Sequence, residues 1–171
     1  MWDDAPTHRE TYTPTNTQGY ISPLQKPDSF FDAKDTRVLF SNIETILLLN
    51  EKFLIDLEKR TNSEENDQLA DLFLEFAPFF KMYTTYVVNH EAAIGLLKDL
   101  PLSKRKSYEF EKFEQQVLQQ KYDSLNSYLI LPVQRCPRYK LLLEELYKHT
   151  PATHADKEPL SKALVLVSNV V

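Results

Sequence analysis

The sequence predicts an all-α fold, and two observations favour it, while a third indicates that the chain folds. The 171-residue chain contains only 2 glycines against 10 prolines, so residues for tight β-hairpin turns are scarce while helix-ending residues are frequent. Apolar residues recur at steps of three and four along most of the chain, which is the period of an α-helix. Apolar residues make up 42% and charged residues 26%, ordinary values for a folded globular protein. We therefore expect one helical domain.

The charge and the hydropathy pattern limit the partners. A formal net charge of -5 disfavours a nucleic-acid partner, because such binding needs a basic surface. The first residues, MWDDAPTHRE, are acidic and carry no apolar run, and no later apolar run approaches the roughly 18 to 20 residues of a membrane span. We therefore expect a cytoplasmic chain without direct membrane insertion.

The sequence contains few of the residue patterns that bind cofactors or metals. Gly19 and Gly95 are too far apart to form a glycine-rich phosphate loop, which excludes the common nucleotide-hydrolysing enzymes. Cys136 is the single cysteine and has no second cysteine or histidine cluster with which to bind a metal. We expect it to be a small packed residue rather than a nucleophile. The sequence therefore predicts no cofactor, no metal site and no catalytic residue.

The first strong helical pattern follows SFFDAKD. Asp32 or Asp35 can cap a long core helix that continues to Arg60. Its apolar stripe consists of Leu39, Ile43, Ile46, Leu47, Phe53, Leu54 and Leu57. The polar run over 60–68 then ends it as a loop.

Prolines mark the next two boundaries. Pro78 interrupts the stripe that follows the loop and should kink or break that helix. The stripe is formed by Leu69, Leu72, Phe73 and Phe76. Another helix is expected from Phe79 through Leu97, ending at Pro101. The basic stretch SKRKS (103–107) is expected to be a solvated surface loop, with a lipid or phosphate contact as the alternative.

Three helical patterns complete the C-terminal part around the segment 134–149. The first contains Phe110, Phe113 and Val117, and the second contains Leu125, Tyr128 and Leu129 and runs up to Pro132. After the turn TPATHAD, Asp156 can cap a final helix. Its apolar residues are Leu160, Ala163, Leu164, Val167 and Val171.

The stretch ILPVQRCPRYKLLLEEL (130–146) combines a polar, proline-flanked start with a leucine-rich body. Pro132 ends one helix or sits in a tight joint, and Pro137 falls in the first turn of the next helix, where its missing N–H costs little. Steps of four, three, four and three predict one mixed face, formed by Gln134, Arg138, Leu141, Glu145 and Lys148. The neighbouring face is apolar and is expected to be largely buried; it carries Leu142, Leu143 and Leu146.

Two arginines stand in this stretch, Arg135 and Arg138. Spacing alone favours both as surface residues or as partners of Glu144 and Glu145.

The stretch LILPVQRCPRYKLLLEELYKHTP resembles the third conserved region of Dbl-homology domains. These are the catalytic helical domains of guanine nucleotide exchange factors for Rho-family GTPases. Upstream, VLFSNIETILLLNEKFLIDLEKR resembles the second conserved segment of the family and LFLEFAPFFKMYTTYVVNHEAAIGLL the helices that follow it. The likeness extends from about Tyr20 to Val171. It implies an elongated helical bundle, with a pleckstrin-homology domain next to it in a larger protein.

The resemblance also implies a function without bond chemistry. Such a domain binds the switch regions of a GDP-loaded Rho-family GTPase, disturbs its magnesium and phosphate site, and holds the nucleotide-free state until GTP enters. By resemblance, Arg138 matches the basic position that contacts a switch region. The other GTPase-binding residues implied beside it are Gln134, Leu141, Leu142 and Glu145.

Two departures from the family pattern affect the ends of the domain. The family carries a glutamate about seventeen residues before a Pro-Leu pair, but counting back from Pro23 reaches Pro6, and Glu10 is out of register. Residues 1–18 contain prolines and β-branched threonines, so we expect an irregular segment and a degenerate or missing first conserved helix. Residues 19–171 then form the Dbl-homology domain, truncated at its final helix because Asn169 falls earlier than the family's asparagine.

These departures keep two functions open. The first is an active exchange factor. The alternative is a catalytically weak or inactive module that binds or scaffolds a GTPase.

Overall fold

A computed structural model describes residues 17–62 and 68–169, and all regular secondary structure within these ranges is helical. A five-residue π-helical turn, Thr17–Ile21, and one α-helical turn, Ser22–Leu24, precede the longer helices. Those helices are α1 (Ala33–Phe40), α2 (Ile43–Thr61), α3 (Ala70–Phe76), α4 (Lys81–Asp99), α5 (Lys104–Gln119), α6 (Leu125–Leu129), α7 (Leu131–His149) and α8 (Lys157–Ser168). The all-α prediction is confirmed. The expectations for residues 1–16, including Glu10, and for Val171 lie outside the described residues.

The chain divides into two compact units. The first combines residues 17–44 with 89–131, and the second combines 45–62 and 68–88 with 132–169. The first unit has an apolar core tied down by a hydrogen bond from the Tyr20 hydroxyl to the Asp123 carbonyl, at 2.9 Å. Its buried members are Tyr20, Ile21, Leu24, Phe31, Leu39, Phe40, Ala93, Leu100, Val117, Leu125 and Leu129. The second unit buries an aromatic cluster formed by Phe53, Phe73, Phe76, Phe80 and Tyr139.

The long helix predicted from Asp32 to Arg60 is two helices. Asp32 caps α1 as expected, because its carboxylate accepts the Lys34 and Asp35 amides at 2.8 Å in a capping box. At Ser41 the chain adopts φ 47°, in the left-handed region that costs a non-glycine residue free energy, and α1 ends there. The Ser41 amide donates to the Arg37 carbonyl, which satisfies part of the broken helix end.

Pro78 acts as the sequence predicted, but the basic stretch after Pro101 does not. Pro78 lies in a 3-10 turn, Ala77–Phe80, that separates α3 from α4, so the predicted break is confirmed. The prediction of a loop over 103–107 is wrong. Ser103 is the N-cap of α5 and its hydroxyl accepts the Lys106 amide, so four of the five residues belong to the helix.

Helix α7 starts earlier than expected. It begins at Leu131 rather than near Gln134, so Pro132 occupies its first turn and Pro137 lies inside the helix. Pro132 therefore takes the position predicted for Pro137, where the lack of an N–H costs little. Pro137 interrupts the hydrogen-bond ladder by one donor, yet α7 continues to His149.

Asp156 caps a different helix from the predicted one. It precedes α8 but makes no side-chain hydrogen bond to that helix. Its buried carboxylate instead accepts the backbone amides of Leu69, at 2.8 Å, and Ala70, at 3.1 Å. Asp156 therefore satisfies the N-terminal donors of α3, against which α8 packs.

None of the helices in the described ranges is long and apolar enough to cross a bilayer.

Candidate functional site

The exposed face of α7 is the candidate site. At 100° per residue, five side chains of this helix fall within an arc of about 100°, opposite the buried side of the helix. All five are solvent-exposed; we call them the α7 exposed face, and they are Gln134, Arg138, Leu141, Leu142 and Glu145. The structure therefore brings together on one surface every residue that the sequence assigned to GTPase binding.

The triple leucine of α7 divides between the two sides of the helix. Leu143 is 1% exposed and was predicted correctly, whereas Leu142 is 53% exposed and the prediction that it is buried is wrong. Leu146 is half-buried. Adjacent helical residues differ by 100°, so Leu143 continues the buried stripe of Pro132, Cys136 and Tyr139 while Leu142 turns away from it.

Arg138 is held by its own helix. One guanidinium nitrogen donates to the side-chain oxygen of Gln134, one turn earlier, at 3.1 Å. Glu145, which the sequence offered as a partner, lies 3.6 Å from the Lys148 ammonium and 3.4 Å from the His149 ring nitrogen. Since a guanidinium has five N–H donors, most of the hydrogen-bonding capacity of Arg138 faces solvent.

Arg135 has a different environment from Arg138. It is half-buried, and its guanidinium carbon lies 4.8 Å from the centre of the Tyr139 ring, a cation–π distance. The two arginines of the stretch therefore have separate roles: Arg135 packs on the helix, and Arg138 is displayed.

The opposite side of α7 is anchored by a buried polar hub around Asn50, which sequence reasoning missed. The Tyr139 hydroxyl donates to the Asn50 side-chain oxygen at 3.0 Å, and the Asn50 amide nitrogen lies 2.7 Å from the Tyr83 hydroxyl. The same nitrogen donates to the Ile46 carbonyl at 2.6 Å. Buried polar groups must be paired, so the hub fixes α7 against α2 and α4 in one register. An asparagine in step with the apolar stripe of α2 was the available signal.

Aromatic packing reinforces the hub. The Tyr139 ring stacks on Phe80 at a centroid distance of 5.4 Å and meets Phe53 edge-on at 5.6 Å. Burial raises the pKa of Tyr139, against the lowering effect of Arg135, so its hydroxyl stays neutral and keeps its proton to donate.

Cys136 is a packed residue, as predicted. Its side chain is buried, and burial raises the pKa of its thiol to about 12, with Arg135 acting in the opposite direction. A thiol in this environment is a poor nucleophile because almost none of it is thiolate near neutral pH. Within the described ranges, no group of three or more His, Cys, Asp or Glu side chains could hold a metal ion.

The α7 exposed face is suited to binding a protein. Leu141 and Leu142 are 59% and 53% exposed, and they flank a displayed arginine. Arginine beside exposed apolar side chains is a typical composition for the centre of a protein–protein interface. The face offers anchoring groups rather than groups for bond chemistry.

Comparison with known proteins identifies a family whose model the sequence matches. The sequence matches the family model described as "RhoGEF domain" over residues 15–171. This range contains all the described helices and the α7 exposed face.

Individual relatives carry related names. The chain is 32% identical over 154 residues to "Rac guanine nucleotide exchange factor JJ" of Dictyostelium discoideum, covering 88% of this chain and 13% of that protein. It is 33% identical over 156 residues to "Rho guanine nucleotide exchange factor 9" of Homo sapiens, covering 90% of this chain and 30% of that protein. The chain therefore spans less than a third of the length of these relatives.

Solved structures agree on the architecture. An NMR structure of an autoinhibited Dbl homology domain superimposes with a TM-score of 0.73 and 27% identity, covering 95% of this chain and 77% of that one.

Proposed function

The chain belongs to the RhoGEF, or Dbl-homology, domain family, and from that premise we propose that it binds a Rho-family GTPase and promotes release of its GDP so that GTP can enter. The observation that carries the proposal is the α7 exposed face. Arg138 and its neighbours are grouped there, on a helix whose other side is locked by the Asn50 hub.

Exchange of this kind is catalysis by differential binding. The domain accelerates GDP release only if it binds the nucleotide-free GTPase more tightly than the GDP-bound one. A surface with that task must hold its shape while its partner changes. The anchoring of α7 supports this requirement, because the buried hydrogen bond between Tyr139 and Asn50 ties the helix to α2.

Each residue of the face has a role in the proposal. Arg138 supplies a planar fork of donors for carbonyl and carboxylate oxygens of a switch region, and Gln134 orients that fork. Leu141 and Leu142 provide apolar contact area, and Glu145 offers a carboxylate at the far end of the face.

A GTPase-binding module with little or no exchange activity is the second candidate. The sequence favours it at one point: no acid stands in register about seventeen residues before Pro23, where the family carries the glutamate that contacts the first switch. On this alternative, binding survives through Arg138 while acceleration of GDP release is small.

The test measures both properties. Release of fluorescent GDP from a panel of Rho-family GTPases is followed with excess GTP, with and without the 171-residue chain, and capture of each nucleotide-free GTPase is measured in parallel. An exchange factor accelerates release from at least one GTPase, whereas the binding module captures without accelerating. Failure of both readouts across the panel would refute the proposal.

Glu10→Ala sharpens the distinction. Because Glu10 is out of register with Pro23, the substitution should leave both exchange and capture unchanged. Full exchange activity that disappears in this variant would show that Glu10 is the missing carboxylate after all.

A further inference from the structure

Helix α5 carries a basic surface that the proposed function does not use. Four exposed side chains of this helix fall within an arc of about 100°. We call them the α5 basic face; they are Lys104, Arg105, Tyr108 and Lys112. The other residues within this arc are Gln115 and Gln119, so the arc contains three cations and no carboxylate.

Within the described ranges, the cations of this face are not paired with carboxylates, although Glu109 and Glu111 lie just outside the arc, one on each side. In the part of the chain that the structure describes, Lys104, Arg105 and Lys112 form no ion pair. Lys106, the remaining base of the SKRKS stretch, shows the contrast: it points to the other side of the helix and pairs with Asp35 at 2.5 Å. One base of the stretch is therefore paired within the first unit, and Lys104 and Arg105 face solvent.

Large apolar groups accompany the cations. Leu102, in the 3-10 turn Leu100–Leu102 just before α5, is 86% exposed, and Tyr108, in the middle of the basic face, is 64% exposed. Because Leu102 is almost fully exposed, it contributes almost no burial free energy to the domain itself. Basic side chains around exposed aromatic and aliphatic groups are the composition of surfaces that bind at the lipid–water interface.

We propose that the α5 basic face, together with Leu102, is a peripheral binding site for an anionic lipid bilayer. The cations contact lipid phosphates and carboxylates, while Leu102 and Tyr108 enter the boundary between headgroups and acyl chains. Flexible lysines suit a fluid array of headgroups, which does not require fixed partner geometry.

The charge distribution supports a membrane as the occupant. The chain as a whole carries a formal net charge of -5, so an anionic bilayer repels most of its surface. Attraction to such a bilayer is therefore restricted to local positive regions. The α5 basic face and Leu102 together provide three free cations and two exposed apolar side chains, Leu102 and Tyr108. The cavity of about 550 Å³ in the first unit is lined by residues between Leu24 and Ser41 and is separate from this face.

Vesicle sedimentation tests the site. The 171-residue chain is mixed at low salt with phosphatidylcholine vesicles containing about one third phosphatidylserine, or with pure phosphatidylcholine vesicles. We expect binding to the anionic vesicles only. The triple variant Lys104→Gln, Arg105→Gln, Lys112→Gln should bind about 100-fold more weakly, because each cation near an anionic surface contributes about fivefold.

A matched control separates the site from net charge. The triple variant Lys26→Gln, Lys34→Gln, Lys81→Gln removes the same charge from other exposed positions and should bind like the unmodified chain. No binding to anionic vesicles, or equal losses in the two triple variants, would overturn the proposal.

Leu102→Ser separates a lipid from another polyanion. Insertion of Leu102 into the interface predicts a loss of roughly tenfold in vesicle binding, since its apolar contribution is removed. Vesicle binding that is unaffected by Leu102→Ser would overturn the insertion into the bilayer and indicate a purely electrostatic contact, which any polyanion could supply.

Discussion

The two sides of α7 use similar residue types for opposite purposes. On the buried side, Tyr139 packs on Phe80 and Phe53 and donates to Asn50, and Leu143 is 1% exposed. On the exposed side, Arg138 and Leu142 meet solvent, and Gln134 is the one hydrogen-bond partner of the arginine among the residues that the structure describes. The difference teaches that a leucine or an arginine in this stretch has no fixed role. Its angular position on the helix decides whether it stabilises the domain or binds a partner.

The largest expected effect is on the exposed side. Arg138→Glu should weaken capture of a nucleotide-free Rho-family GTPase by about 2 to 5 kcal/mol, or at least about 30-fold, because a desolvated charged contact becomes repulsive. The thermal midpoint should stay within error of the unmodified chain, since Arg138 is exposed. Lys81→Glu, an equal charge reversal at an exposed site on α4, is the control for binding. Equal losses in the two variants would mean that the α7 exposed face is not the interface.

The next effect lies on the buried side. Leu143→Ala should lower the free energy of unfolding by about 2 to 5 kcal/mol, because it removes apolar contacts and leaves a cavity. Leu142→Ala, the adjacent control, should cost less than about 0.5 kcal/mol, because its side chain is half in solvent. Urea denaturation of both variants measures the difference. Comparable losses of unfolding free energy in the two variants would show that Leu142 and Leu143 do not differ in burial.

A smaller effect is expected at the polar hub. Tyr139→Phe keeps the ring stack on Phe80 but removes the hydroxyl that donates to Asn50, so it should cost about 1 kcal/mol. If the hub also fixes the register of α7, GTPase capture should weaken although Tyr139 is buried and cannot contact the partner. Lost stability with unchanged capture would restrict the hub to a structural role.

The smallest expected effect concerns the alkylation rate of Cys136 on the buried side of α7. Burial raises the pKa of the Cys136 thiol to about 12, so iodoacetamide at pH 8 should alkylate it far more slowly in the folded chain than in guanidinium. Because the folded state holds the thiol proton more tightly, its contribution to stability is present below about pH 9 and is lost as the pH rises towards 12. Rapid alkylation of the folded chain would show that this side of α7 is open to solvent.

Most helices were predictable from periodicity, and so were all members of the α7 exposed face except Leu142, which periodicity placed on the buried face and only the family resemblance assigned to GTPase binding. The mixed face was found because polar and apolar residues alternate at helical steps from Gln134 to Glu145. The buried stripe was harder, since it includes a proline and a cysteine, Pro132 and Cys136, beside Tyr139. Pro132 and Cys136 do not stand out as apolar residues, so periodicity alone could not show that Leu143 is buried and Leu142 is exposed.

Other features depended on tertiary structure. The break at Ser41 has neither glycine nor proline to announce it, and its φ of 47° is a strain that the surrounding fold compensates. The charge of the SKRKS stretch predicts a loop, but Ser103 is a good N-cap and lysine and arginine are good helix formers, so the stretch is helical. The prediction that Asp156 caps the final helix is wrong, because its carboxylate instead accepts the amides at the start of α3, which is distant in sequence.

The Asp156 contact has a consequence for how the chain folds. Its carboxylate joins the amide of Leu69 across 87 residues, so this hydrogen bond forms only after most of the chain is synthesised and a long loop has closed. A contact of such sequence separation is expected to form after the rate-limiting step, when α3 and α8 dock. Asp156→Ala should then accelerate unfolding in stopped-flow experiments while leaving the folding rate nearly unchanged. The Asp156 contact would thus slow the unfolding of the second unit without affecting its folding.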